Sequence, residues 1–327
     1  MDEPVTTAEP GMALPPATST APAASMPAES RQRMRDGTEL FLRTWLPDPM
    51  RFPDPLGTLL LVHGLGEHCG RYDHVVQVLC GLGLRVRAYD QRGHGRSGGP
   101  RMVVPHADAY VDDLAEIHDG AVRQWNELPI VLGHSMGGLV AARLATARVR
   151  PIRALILSSP ALALWLSGRM LTLQRVLMAL APRLRVPTRL DAAALSHDAE
   201  VVRAYRTDRL VQATVSAGVL ETFVRGMAQA QADAPRLEAP TLMLVAGADR
   251  IVDPAGSRLF HDNAPADLRE MVWYEGACHE LFNEAEPWRG EALAAMSEWL
   301  RRHLEPQGAA VPVPAPAAAA AGATARP

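Results

Sequence analysis

Hydrophobic and polar positions change rhythm repeatedly between about residues 31 and 304. Short apolar runs recur at "GTLLLVHG" (57–64), "LRVRAYD" (84–90), "PIVLGH" (129–134), "IRALILSSP" (152–160), "PTLMLVAG" (240–247) and "LREMVWY" (268–274). The first of these is continuous, as expected for a strand buried on both faces of a sheet, and the others read as further strands. Between them come stretches with apolar residues three and four apart, which predict helices at about 72–82, 107–125 and 135–147, from about Pro254, and from about Pro287 to His303. The first block, "RQRMRDGTELFLRTWLP", has an Asp36-Gly37 turn between two strand-like runs, a hairpin signal. Strands alternating with helices predict an α/β fold with a mostly parallel, doubly wound sheet. No internal repeat is visible.

The alternation is interrupted from 161 to 237. "LWLSGRMLTLQRVLMAL" and "GVLETFVRGMAQAQ" carry helical spacing, and no convincing strand stands out. This interval predicts an all-helical insertion, a cap over the carboxyl edge of the sheet, with the core formed by 31–160 and 238–304. The run Leu162–Leu180 carries only Arg169 and Arg175 as charges. It has two destinations, burial on the core or transient contact with a membrane surface, and burial is the simpler. Residues 1–30 and 305–327 are rich in Pro, Ala, Thr and Ser and predict disordered tails, because they have little apolar surface to offset ordering entropy.

Composition narrows the function classes. The chain has 327 residues, 48% apolar and 21% charged, with a net charge of −3, so no basic field invites nucleic acid. All 33 basic side chains are arginine, scattered rather than clustered. The N-terminus lacks the basic and apolar regions of a secretory signal, and no apolar stretch is long enough to span a bilayer. Three cysteines, Cys69, Cys80 and Cys278, show neither a disulfide framework nor a zinc spacing. A cytoplasmic protein is the expectation.

Candidate chemistry starts at "LGHSMGGLVAARLA". Ser135 lies between Gly133 and Gly137 where a strand becomes a helix, the context of a nucleophile elbow. The same residue could equally be a small turn former or helix cap. Partners separate the readings, because an alcohol oxygen needs a base, and the base an orienting acid. Of the histidines after Ser135, only His279 follows a strand in a loop at its carboxyl end. Two acids compete in "LVAGADRIVDPAG". Asp249 directly follows a strand, while Asp253 precedes Pro254 and a helix and fits a cap. Backbone N–H groups of Met136 and of Leu65, in the loop of Gly64 and Gly66, would supply an oxyanion hole. That glycine loop, with Asp90 ending the next strand, also invites comparison with a dinucleotide fold. Its spacing is one residue too long, however, and Glu67 would face the pyrophosphate.

The blocks "HGLGEHCGRYDHV", "AYDQRGHGRSGG", "LGHSMGGLVAARLA", "LSHDAEVVRAYRTDRLV", "AGADRIVD" and "YEGACHELFNE" together resemble the monoacylglycerol lipase and lysophospholipase group of α/β-hydrolases, serine hydrolases with a helical cap. The resemblance covers about Met34 to His303. It implies Ser135 as nucleophile, Asp249 as orienter, His279 as base, Leu65 and Met136 as oxyanion donors, and single-chain acyl lipids as substrates, with no metal or cofactor. It leaves Glu67, His68 and Arg71 as residues that fix the oxyanion loop, and His134, Cys69 and Cys278 as packing. Two further readings stay open: an amide-cleaving relative with an amine-binding acid in the cap (Glu200, Asp208 or Glu221), and a non-catalytic binding protein that keeps the pocket. The oligomeric state is not legible.

Overall fold

The computed structural model describes residues 24–304 except Leu166 and Arg189. The expected tails at 1–23 and 305–327 lie outside the described residues. The chain runs β1 (Ala28–Arg33), β2 (Glu39–Trp45), β3 (Gly57–Val62), α1 (Asp73–Gly81), β4 (Leu84–Tyr89), α2 (Ala109–Trp125), β5 (Ile130–His134), α3 (Met136–Thr146), β6 (Ala154–Ser158), α4 (Gly168–Leu180), β7 (Arg185–Pro187), α5 (Ala199–Thr207), β8 (Thr214–Ser216), α6 (Ala217–Asp233), β9 (Thr241–Ala246), α7 (Ala255–Asn263), β10 (Arg269–Tyr274) and α8 (Trp288–Leu304).

Eight strands form one sheet in the order β1-β2-β4-β3-β5-β6-β9-β10. β1 and β2 pair antiparallel, β2 is antiparallel to β4, and every later neighbour is parallel. The apolar runs are continuous because alternate residues feed two separate cores. Leu60, Val62, Val131, Met243 and Val245 face α2, α3 and α6, whereas Leu59, Leu61, Leu132, Leu242 and Leu244 face α1 and α8. Strand order turns at β3, so the loops after β3 and β5 open at a common carboxyl edge, where open α/β sheets hold ligands.

The structure corrects three expectations. The edge strand begins at Ala28, inside the tail expected to reach residue 30. Its side chains are almost all exposed, so backbone pairing to β2 orders it rather than burial. The interval 161–237 is not all-helical, since β7 and β8 pair antiparallel. Three-residue strands are too short to show a period in sequence. α4, finally, does not bury its apolar face. Met170, Leu173, Val176 and Leu180 are exposed, while Gln174 is buried and donates to Glu221 of α6 at 2.7 Å. The helix thus buries a polar residue and turns these four apolar side chains to solvent, while Leu177 and Met178 are half-buried. Among the described residues no helix is long and apolar enough to cross a membrane.

Candidate active site

Ser135 is the only residue between β5 and α3, and its backbone is held at φ 54°, ψ −119°. A non-glycine residue there is strained, and the strain is retained because its surroundings fix the turn. The flanking glycines act by absence of bulk. A Cβ on Gly133 would lie 2.4 Å from the Gly137 carbonyl oxygen, and one on Gly137 would lie 2.2 Å from that of Val62. The turn directs Ser135 Oγ to 2.9 Å from His279 Nε2. His279 stands in the loop after β10, and its Nδ1 lies 2.6 Å from Asp249 Oδ2, in the loop after β9. Asp249 is itself held by the Ile251 and Val252 N–H groups, which donate to its Oδ1. Asp253 takes the other path, accepting from Ala255 N–H at the start of α7.

Burial works against charge on His279, but the charge of Asp249 and its hydrogen bond outweigh it and raise the imidazole above its ordinary value of 6.5. His134 packs beside it with ring centroids 4.9 Å apart. Burial and the neighbouring His279 lower His134 to about 4, so it is neutral at pH 7 and its Nδ1–H donates to the Ser158 carbonyl at 3.1 Å.

The sequence family described as "Serine aminopeptidase, S33" matches residues 53–286. The chain belongs to this family of α/β-hydrolases. A monoacylglycerol lipase of Mycolicibacterium smegmatis is 37% identical over 273 residues, 82% of this chain and 95% of that one. The monoglyceride lipase of Mus musculus is 33% identical over 286 residues, 85% of this chain and 91% of its own. The crystal structure of Paleococcus ferrophilus monoacylglycerol lipase aligns with a TM-score of 0.72 at 35% identity, covering 81% of this chain and 99% of that one.

In this hydrolase a cavity of about 440 Å³ opens onto Ser135 and His279. Leu65 lines it, and Met136 is the first residue of α3, where helical N–H groups have no intrahelical acceptor and carry the positive end of the helix dipole. The far wall comes from the interval between β6 and β9, including Leu164, Leu195, Val215 and Phe223. Gly66, at φ 78°, brings the β3 loop against this wall. A Cβ there would meet the Gln212 carbonyl at 2.6 Å, and Gln212 N–H donates to the Gly66 carbonyl.

Along the cavity wall runs a charged network that sequence reasoning recovers only in part. Glu67 accepts from Gly64 N–H at 2.5 Å and from the Tyr72 hydroxyl at 2.6 Å. Arg71 pairs with Glu67 and, through two 2.7 Å bonds, with Glu280 next to His279. Burial opposes the charge on Glu67, but Arg71 dominates and holds its carboxyl at about 2. Glu280 was not singled out because it lies 209 positions from Arg71. The network therefore joins the Gly64–Gly66 loop to the His279 loop. Removing the cation strands two buried carboxylates, so Arg71→Ala should lower unfolding free energy by about 3–5 kcal/mol. Urea denaturation measures this, and a change under 1 kcal/mol would contradict the buried-pair account.

His68 Nε2 lies 2.8 Å from Asp208 Oδ2, linking the same loop to the chain after α5. Glu200 pairs with Arg203 on the surface, and Glu221 receives Gln174. None of these three acids lines the cavity. Burial, reinforced by Glu284, pushes the Cys278 thiol up to about 11, so it stands protonated at neutral pH.

Proposed function

We propose that this hydrolase cleaves the ester bond of single-chain acyl lipids, monoacylglycerols or lysophospholipids, through an acyl-enzyme on Ser135. The observation that carries the reading is the hydrogen-bonded series Ser135–His279–Asp249 opening into a mostly apolar cavity. His279 takes the Ser135 proton as Oγ attacks the ester carbonyl, and Asp249 stabilises the resulting imidazolium. The Leu65 and Met136 N–H groups receive the developing oxyanion. The tetrahedral intermediate collapses, and the alcohol leaves with the proton from His279. Water, deprotonated by His279, then releases the fatty acid.

The cavity's volume is in the ordinary range for a small-molecule site, and its wall from 161–237 acts as a cap that shields an acyl chain. The relatives named above as monoacylglycerol and monoglyceride lipases support the lipid ester. The family description names an aminopeptidase instead. Binding a free α-amine needs an unpaired acid in the cavity. Of the acids that line it, Glu67 and Glu280 are held by Arg71, while Asp191 accepts from the Ala193 N–H at a helix start, so the preference for the ester rests on the lipase relatives and the apolar wall. The test is a panel of monoacylglycerols, lysophospholipids and aminoacyl amides, each against wild type and Ser135→Ala. Fatty-acid release from the glycerol or lysolipid esters is expected. Turnover confined to the amides would overturn the reading.

The exposed apolar side chains of α4 support action at a lipid surface. Each apolar side chain of this kind contributes about 1.5–3 kcal/mol when withdrawn from water. Leu173→Asp with Val176→Asp should therefore cut co-flotation with vesicles at least tenfold while leaving turnover of a short soluble ester unchanged. Equal flotation of wild type and variant would remove α4 as the contact.

A further inference from the structure

Cys278 and His279 are adjacent in the chain but line different cavities. His279 faces Ser135. Cys278 faces a second cavity of about 550 Å³, together with His197, Arg206 and Arg250. His197 comes from the loop before α5, and Glu284 from the chain just before α8. One donor atom from each of His197, Cys278 and Glu284 lies within 4.8 Å of the other two.

The order of donors is specific. Glu284 is fully buried. Its two oxygens receive the Cys278, His197 and Ala285 N–H groups and the Ser196 hydroxyl. A buried carboxylate with that many donors is ionised, so it accepts from His197 Nδ1, 3.1 Å away. The imidazole proton therefore sits on Nδ1 and the lone pair on Nε2. That lone pair is 3.8 Å from Cys278 Sγ. Trp288 stacks on the imidazole with centroids 5.1 Å apart and fixes the ring plane.

Two nitrogen and sulfur donors facing each other at this separation fit a soft or borderline cation. With zinc bonds of about 2.0–2.1 Å to nitrogen and about 2.3 Å to sulfur, donors 3.8 Å apart subtend about 120° at the metal, close to tetrahedral. A carboxylate behind the ligating imidazole is the usual way such a ligand is oriented. Arg203 on the same wall is engaged by Glu200. Arg206 and Arg250 would favour water or an anion in the remaining positions.

We propose that Cys278 Sγ and His197 Nε2 form a binding site for a zinc-class divalent cation, with Glu284 holding the imidazole. Binding exchanges the thiol proton, released to solvent, for the metal. The donors are 81 positions apart in the chain, so no zinc spacing exists to be read. Because Cys278 is bonded to His279, an occupied site restrains the loop that carries the active-site imidazole, and Zn²⁺ slows turnover through that restraint.

Titration of the purified, metal-free protein with Co²⁺ reads the site without reference to hydrolysis. A near-ultraviolet thiolate-to-cobalt charge-transfer band should saturate at one equivalent and disappear on adding Zn²⁺. Cys278→Ser should abolish the band, and His197→Ala should weaken cobalt binding at least tenfold. Circular dichroism and basal ester turnover check that both variants are folded. The same variants should lose the Zn²⁺ sensitivity of turnover. Absence of the band in wild type, or an unchanged band in either variant, would overturn the site. Zn²⁺ inhibition that persists in Cys278→Ser would overturn the coupling to His279.

Discussion

Ser135→Ala is expected to lower kcat for monoacylglycerol hydrolysis by roughly 10⁴–10⁶-fold and to abolish labelling by a fluorophosphonate probe. The reason is geometric. Ser135 Oγ is the hydroxyl that His279 Nε2 reaches, at 2.9 Å, and the elbow backbone at φ 54° holds it there. The substitution deletes one oxygen and keeps the turn, so the folded state and the cavity should survive. A thermal melt within a few degrees of wild type, alongside lost turnover, separates chemistry from unfolding. Residual hydrolysis of more than a few per cent would remove Ser135 as the nucleophile and revive the non-catalytic binding reading.

Asp249→Asn should cost about 10⁴ in kcat, while Asp253→Asn should leave turnover within about twofold of wild type. Asp249 Oδ2 accepts the His279 Nδ1 proton at 2.6 Å. An amide nitrogen in that place would present hydrogen instead of a lone pair and turn the imidazole to the wrong tautomer. Asp253 only accepts an N–H at the head of α7, and an asparagine oxygen does that equally well. The pH profile supplies a second readout. With His279 as the proposed neutral base, activity is expected above its pKa and lost as pH falls through it. Asp249 raises that pKa above 6.5, which places the acid limb of kcat/KM above 6.5. In Asp249→Asn the raising charge is gone, and the limb of the residual activity should move to lower pH. A limb below 6.5 in wild type, or one that does not move in the variant, would contradict the pairing.

The central strands β3, β5, β6 and β9 were legible in the sequence because each is buried on both faces. Leu59 to Leu61 and Leu242 to Val245 leave no polar side to confuse the period. β1 was cut short because its order comes from hydrogen bonds to β2, which leave no apolar trace. α4 misled in the opposite sense. Its apolar residues imply burial, but the buried side chain is Gln174, bonded to Glu221, and Met170, Leu173, Val176 and Leu180 face out. The interval that walls the cavity is the least legible part for the same reason: its contacts are with distant segments.

The site divides along that line as well. Strand-to-loop boundaries placed Ser135, Asp249 and His279 at the carboxyl edge of one sheet, and proline after Asp253 marked it as the capping acid. Those are local signals, carried by spacing, turn chemistry and the run of apolar residues. Which nitrogen of His279 meets which oxygen, the bridge of Arg71 to Glu280, and the meeting of His197 with Cys278 were decided only by the tertiary structure. They depend on side chains separated by 144, 209 and 81 positions. Backbone pattern records which face of an element is buried. It does not record which distant loop comes to lie beside it, because that contact is selected by packing of the whole sheet and its helices.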